Sequence, residues 1–141
     1  MKIGSLVAAE YKTGRYIGEL LSADGPKAKV RMLAVVKHPT QGNLHHPMQT
    51  EVDFFHQRPA LHYREVANVM LHSLEPYEGE AAPDYAESLR SAVQTEKAAM
   101  EALDTPFGAR CLQELNELEK QYFGTGVGTG TEAEEGKRLD R

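Results

Sequence analysis

The chain has little of what most directly announces a function. Cys111 is its only cysteine, so no internal disulfide can form, and a reducing, cytoplasmic setting is expected. No apolar run approaches the roughly 20 residues that cross a bilayer. The start, Met1-Lys-Ile-Gly-Ser-Leu-Val-Ala-Ala-Glu10, has too short an apolar stretch for an export signal and no cysteine to accept a lipid. Neither export nor lipidation is therefore expected. There is no internal repeat. The glycines of Gly124-Thr-Gly-Val-Gly-Thr-Gly130 follow a helical pattern rather than a strand and lack the Gly-Lys-Ser/Thr ending of a phosphate loop. No serine stands in a nucleophile-elbow context, and Cys111 falls on an apolar helix stripe, where packing is its natural role. Glu114, Glu117 and Glu119 read as a solvated helix face. Nothing here points to an enzyme or to a bound cofactor.

What remains is ordinary for a globular protein. Hydrophobic residues make up 40% of the 141 and charged residues 26%, enough for one small domain with a helical appendage and a modest core. Charge is uneven: residues 1–75 carry a net +2 and residues 76–141 a net −7. The acidic second part argues against a chain built around a nucleic-acid footprint.

The first half reads as short strands. Ile3 to Ala9 is one, Tyr11-Lys-Thr-Gly14 a turn, Arg15 to Ala23 a second strand, and Asp24-Gly-Pro26 a strong turn. From Lys27 to Met32 the alternation is clean, with Lys27, Lys29 and Arg31 on one face and Ala28, Val30 and Met32 on the other. Between Leu33 and Val36 both faces turn apolar, so that end of the strand is expected to be covered on both sides. Val52 to Phe55 is a short apolar piece, and Pro59 marks an edge, bulge or strand start. Ala60 to Val66 and Val69 to Leu74 read as two further strands joined near Ala67-Asn68. Together these suggest a small barrel or sandwich.

After a Pro/Gly/Glu linker from Pro76 to Pro83, two helices follow. Asp84 with Glu87 forms a near capping box, and Tyr85, Leu89, Val93, Met100 and Leu103 make an apolar stripe interrupted by Glu96. Thr105 caps the second helix, Pro106 occupies its first position and Gly124 its end. Its stripe is Phe107, Cys111, Leu115, Leu118 and Tyr122. The short break between them predicts an antiparallel hairpin packed on the sheet. Thr125 to Arg141 has no periodicity and is expected to be a disordered tail.

The most distinctive stretch is Leu33-Ala-Val-Val-Lys-His-Pro-Thr-Gln-Gly-Asn-Leu-His-His-Pro47. A stiff strand runs into a loop with two His-Pro pairs, and loops on rigid scaffolds are where binding residues concentrate. One metal alternative uses His38, His45 and His56. Its spacing is poor, since His45 and His46 are adjacent and no His-x-x-x-His pair exists. Loop histidines bonded to backbone or lying at a polar surface are the simpler reading. A nucleic-acid alternative rests on Lys27, Lys29 and Arg31, which most simply form a solvated strand face.

The same stretch carries a family likeness. With Tyr11-Lys-Thr-Gly-Arg-Tyr-Ile-Gly-Glu19, Phe55-His-Gln-Arg58, Ala60-Leu61, Glu75-Pro-Tyr77 and, more loosely, Leu118-Glu-Lys-Gln-Tyr-Phe123, it resembles the kinase-associated protein B family of spore-forming bacteria. That resemblance implies an SH3-like barrel followed by helices. It also implies an accessory activator of a sporulation sensor histidine kinase, upstream of the phosphorelay, with no catalytic residues.

The expected architecture is thus mainly β: a five-stranded barrel over residues 1–76, a linker and helical hairpin over 77–124, and a tail over 125–141. The expected partner surface is the loop, through Lys37, His38, Gln41, Asn43, His45 and His46, with His56 nearby. Its partner, from the resemblance, is a sensor histidine kinase, and the chain is expected in the cytoplasm or at the membrane through that kinase. A homodimer is compatible, because helix hairpins often self-associate.

Overall fold

The computed structural model describes residues 1–43, 50 and 55–124. Among the described residues there are five strands: β1 (Leu6–Tyr11), β2 (Gly14–Asp24), β3 (Lys27–Lys37), β4 (Val66–Met70) and β5 (Glu75–Pro76). They form one antiparallel sheet in the order β4-β3-β2-β1-β5. Two helices follow, α1 (Tyr85–Leu103) and α2 (Pro106–Phe123).

The mainly-β, five-strand, two-helix plan is therefore present. The sheet is not closed, however: β4 and β5 stand at its two edges and no ladder joins them. The β2–β3 pairing is interrupted at Arg15/Tyr16, Ile17/Gly18 and Leu20/Ser22. Such bulges bend a strand and sharpen its twist. Gly18 sits at one of them. A side chain there would run into the Arg31 carbonyl oxygen and the Val30 methyl group, so only glycine lets β2 approach β3 this closely.

The hydrophobic period of β3 is realised as read. Ala28, Val30, Met32 and Ala34 are buried, while Lys27 and Lys29 are exposed. Ala28, Val30 and Met32 join Val7, Ala9, Tyr16, Leu20, Ala67 and Val69 in a core that continues into Leu89, Ala92 and Val93 of α1. That helix is the second cover expected over the end of β3. The cover reaches Val35, whose N–H donates to Ser88 Oγ at 3.0 Å, and stops there, since Val36 is 49% exposed.

Three expectations change. The strand read over Ala60–Val66 is absent, and the turn placed at Ala67-Asn68 is the middle of β4. At Arg64 the backbone turns left-handed (φ 70°), so a continuous strand breaks there. Leu71–Ser73 is a 3₁₀ turn, leaving a fifth strand of two residues, Glu75–Pro76. The apolar piece over residues 52–54 and the tail lie outside the described residues.

Helix boundaries follow local chemistry. Asp84 accepts from the Glu87 N–H at 3.0 Å, and Thr105 Oγ1 accepts from the Gly108 N–H at 3.0 Å, each satisfying one of the orphan donors of a first turn. Lys97 pairs with Glu119 at 2.8 Å, and Arg90 lies 4.0 Å over the Phe123 ring. Gly108 sits against Met100. Residue numbers rise on one helix as they fall on the other, so the hairpin is antiparallel.

Candidate functional site

The distinctive loop leaves β3 at Lys37, and its entry and exit are stitched together before the tip begins. Gln41 carries much of this. Its Nε2 donates to the carbonyls of Pro39 (3.0 Å) and Arg58 (2.9 Å), and its Oε1 accepts from the Arg58 N–H at 2.8 Å. One side-chain amide thus makes the paired bonds that a neighbouring strand would make. The Gly42 N–H donates to the His56 carbonyl at 2.9 Å, and Arg58 Nη1 donates to the Gly42 carbonyl. Gly42 adopts φ +106° with the Phe55 and Phe107 rings beside it, a left-handed position that favours glycine.

The returning segment is held by tyrosine hydroxyls from three elements. The Ala60 N–H donates to Tyr122 Oη of α2 at 2.8 Å. The Leu61 N–H donates to Tyr16 Oη of β2 at 3.2 Å, and Tyr85 Oη of α1 donates to the Leu61 carbonyl. These hydroxyls take the place of a ladder at Ala60 and Leu61. Farther on, the Arg64 N–H donates to the Met32 carbonyl at 2.6 Å and the Glu65 carbonyl accepts from the Met32 N–H at 2.8 Å, so a segment that reads as a strand meets its polar groups through side chains at one end and a single residue of β3 at the other. Burial raises the Tyr16 phenol to about 12 and drives Tyr122 higher still, so both stay neutral and able to donate.

His38 completes the arrangement. It is fully buried. Nδ1 lies 3.0 Å from the Pro39 carbonyl and Nε2 lies 2.8 Å from Tyr122 Oη. A carbonyl can only accept, so Nδ1 carries the proton and Nε2 accepts from the tyrosine. A continuous chain results: the Ala60 N–H to Tyr122, Tyr122 to His38, His38 to Pro39. Burial, aided by the charge of Lys37 and opposed by the bond to Pro39, lowers the imidazole to about 4. His38 is therefore neutral at physiological pH. Beside it Lys37 reaches Glu96 of α1 at 3.7 Å. Burial raises the Glu96 carboxyl, and the lysine opposes that rise.

These facts redistribute the expected site residues. His38 and Gln41, expected at the partner surface, are 0% and 2% exposed; they position the loop and do not face a partner. Lys37 and His56 are exposed and Asn43 half-buried on the rim. His45 and His46 lie outside the described residues. The metal alternative loses His38, because both ring nitrogens are engaged. Among the described residues no group of three His, Cys, Asp or Glu is arranged to hold a metal. The basic stripe is partly spent, with Arg31 paired to Glu19 at 3.2 Å and Lys29 bonded to Asn68 at 3.0 Å. Cys111 is buried, its thiol raised to about 11 by burial and by Glu96 and Glu114, in keeping with a packing role.

Two participants escaped the sequence reading. Tyr122 read as part of the second helix's apolar stripe and Tyr16 as part of the second strand, and only their hydroxyls, which a buried tyrosine must satisfy, signalled a second duty. The Lys12-Thr13 turn is the other. Both residues have positive φ, 46° and 74°, the backbone of a type I′ hairpin turn without its usual Asn-Gly. Thr13 Oγ1 accepts from the Thr40 N–H at 2.9 Å, tying this strained turn to the loop.

The comparisons agree with this picture. The family model for "Kinase associated protein B" matches residues 11–123, which include both sides of the stitched loop and all three clamping tyrosines. The kinase-associated lipoprotein B of Bacillus subtilis (strain 168) is 46% identical over 120 residues, 85% of this chain and 93% of that protein. The crystal structure of kinase-associated protein B from Bacillus cereus superimposes with a TM-score of 0.72 at 37% identity, covering 86% of this chain and 97% of that one. Matched by the family model over most of its length and similar in both sequence and fold to these relatives, the chain belongs to the kinase-associated protein B family.

Proposed function

We infer that the chain is a non-enzymatic accessory protein that activates a sporulation sensor histidine kinase by direct contact, upstream of the phosphorelay. The family match across residues 11–123 carries this reading. The contact surface is the rim and tip of the loop: Lys37, Asn43 and His56, with His45 and His46 between them in sequence. His38, Gln41 and the tyrosines act beneath it as a frame. A frame fixed before the encounter lowers the ordering cost of binding. The chain works in the cytoplasm and reaches the membrane through its kinase. In support, no helix among the described residues is long and apolar enough to cross a bilayer.

The test is a reconstituted reaction. Purified chain added to a sensor histidine kinase from the same cells should raise the rate of kinase autophosphorylation severalfold while turning over no ATP itself. An unchanged rate at saturating chain would refute the reading.

A further inference from the structure

The underside of the loop frame forms an open cleft of about 200 Å³. Its walls come from the strained β1–β2 turn on one side and the returning loop segment on the other. Tyr11, Lys12, Pro39, Arg58, Pro59 and Leu61 line it. The cleft brings two cations to one place. Among the described residues neither Lys12 nor Arg58 meets a carboxylate within 4.0 Å, whereas Arg15, Arg31, Lys37, Lys97 and Arg110 do. Arg58 spends one nitrogen on backbone carbonyls of the loop, and Lys12 stands 5.5 Å over the Tyr11 ring. Lys12 occupies a left-handed position of the β1–β2 hairpin turn, which Asn or Gly would hold with less strain.

We propose that this cleft binds an extended acidic segment of a partner protein, with a carboxylate of the segment set between Lys12 and Arg58 and an adjacent apolar side chain against Tyr11, Pro59 and Leu61. Proline and aromatic walls suit an extended chain, and two cations without a carboxylate partner among the described residues favour a negative charge on it. The inference rests on the kinase reading only for whose segment is bound; the cleft's chemistry stands apart from it.

The probe is a blocked, fluorescein-labelled nonapeptide, three repeats of Glu-Pro-Leu, with a glutamine-for-glutamate version as control. At low salt the acidic peptide should bind and shift the amide resonances of Tyr11, Lys12 and Leu61, while the control stays silent. Lys12→Glu should weaken binding about five- to tenfold. Lys12→Asn should weaken it less while keeping or raising the melting temperature, an opposition that a merely structural role for Lys12 would not produce. The proposal is overturned if the acidic peptide binds no better than the control, or if its shifts map to Lys27, Lys29 and Arg31. It is equally overturned if the Lys12 variants bind like wild type, or if a ten-residue oligothymidylate occupies the cleft in preference to the peptide. Peptide binding without kinase activation would refute the kinase reading alone. Kinase activation with an empty cleft would refute the cleft alone.

Discussion

Tyr122→Phe should destabilise the protein by about 2–6 kcal/mol, because each of two buried polar groups left unsatisfied costs about 1–3 kcal/mol. The substitution keeps the ring, which stacks 5.8 Å from His38 and 5.9 Å from Phe123, and deletes only an oxygen. That oxygen accepts from the Ala60 N–H and donates to His38 Nε2, both at 2.8 Å. Without it an amide of a buried residue and a buried ring nitrogen lose their partners at once. Tyr16→Phe offers the internal comparison. It removes one longer bond, the 3.2 Å contact from the Leu61 N–H, and should cost about 1 kcal/mol. Urea unfolding of the two variants beside wild type measures the difference. Equal losses would show that the hydroxyl chain through His38 carries no special weight.

Stability should also fall as pH drops from about 6.5 to about 4. The folded His38 titrates near 4, against roughly 6.5 for an unfolded histidine. Above 6.5 the ring is neutral in both states and its contribution is complete. Between the two values the unfolded chain takes up a proton that the folded chain refuses, so the contribution is progressively lost. A shift of this size corresponds to about 3 kcal/mol. The cause is geometric as well as electrostatic. A protonated Nε2 would aim a donor at a tyrosine oxygen that already accepts from Ala60, and Lys37 stands alongside. Glu96 works in the opposite sense. Its raised carboxyl binds a proton more readily in the folded state, so its contribution is present at low pH and lost as pH rises. The His38 part is isolated by comparing wild type with His38→Gln. The variant should be less stable at pH 7 and show a flatter decline between pH 6.5 and 4. Parallel declines would remove His38 as the source.

Local chemistry and periodicity carried the reading of the sequence far in some places. Asp84, Thr105, Pro106 and Gly124 bound the helices because capping depends on a few adjacent atoms. The lysine alternation of β3 showed its buried face because a strand's period is two. The segment from Ala60 to Glu65 failed for a reason the same rules cannot see. At Ala60 and Leu61 its backbone groups are met by hydroxyls from residues 16, 85 and 122, and the left-handed turn at Arg64 limits its pairing with β3 to Met32, so a strand-like composition forms no strand. His38 failed in a related way. A histidine beside a proline in a loop looks like a surface group, and only Tyr122, 84 residues away, makes it a core residue. The family likeness drew attention to the loop but did not separate the residues that hold it from those that rim it.

That separation is what an affinity capture from sporulating cells tests most directly, comparing tagged wild type with His45→Ala/His46→Ala/His56→Ala. Beneath the rim, the frame of His38, Gln41 and the tyrosines is left intact by these changes. Both proteins should therefore unfold at the same temperature, with a sensor histidine kinase enriched by wild type and lost from the variant. A variant that folds equally well and retains the kinase in full would contradict a partner surface on this loop.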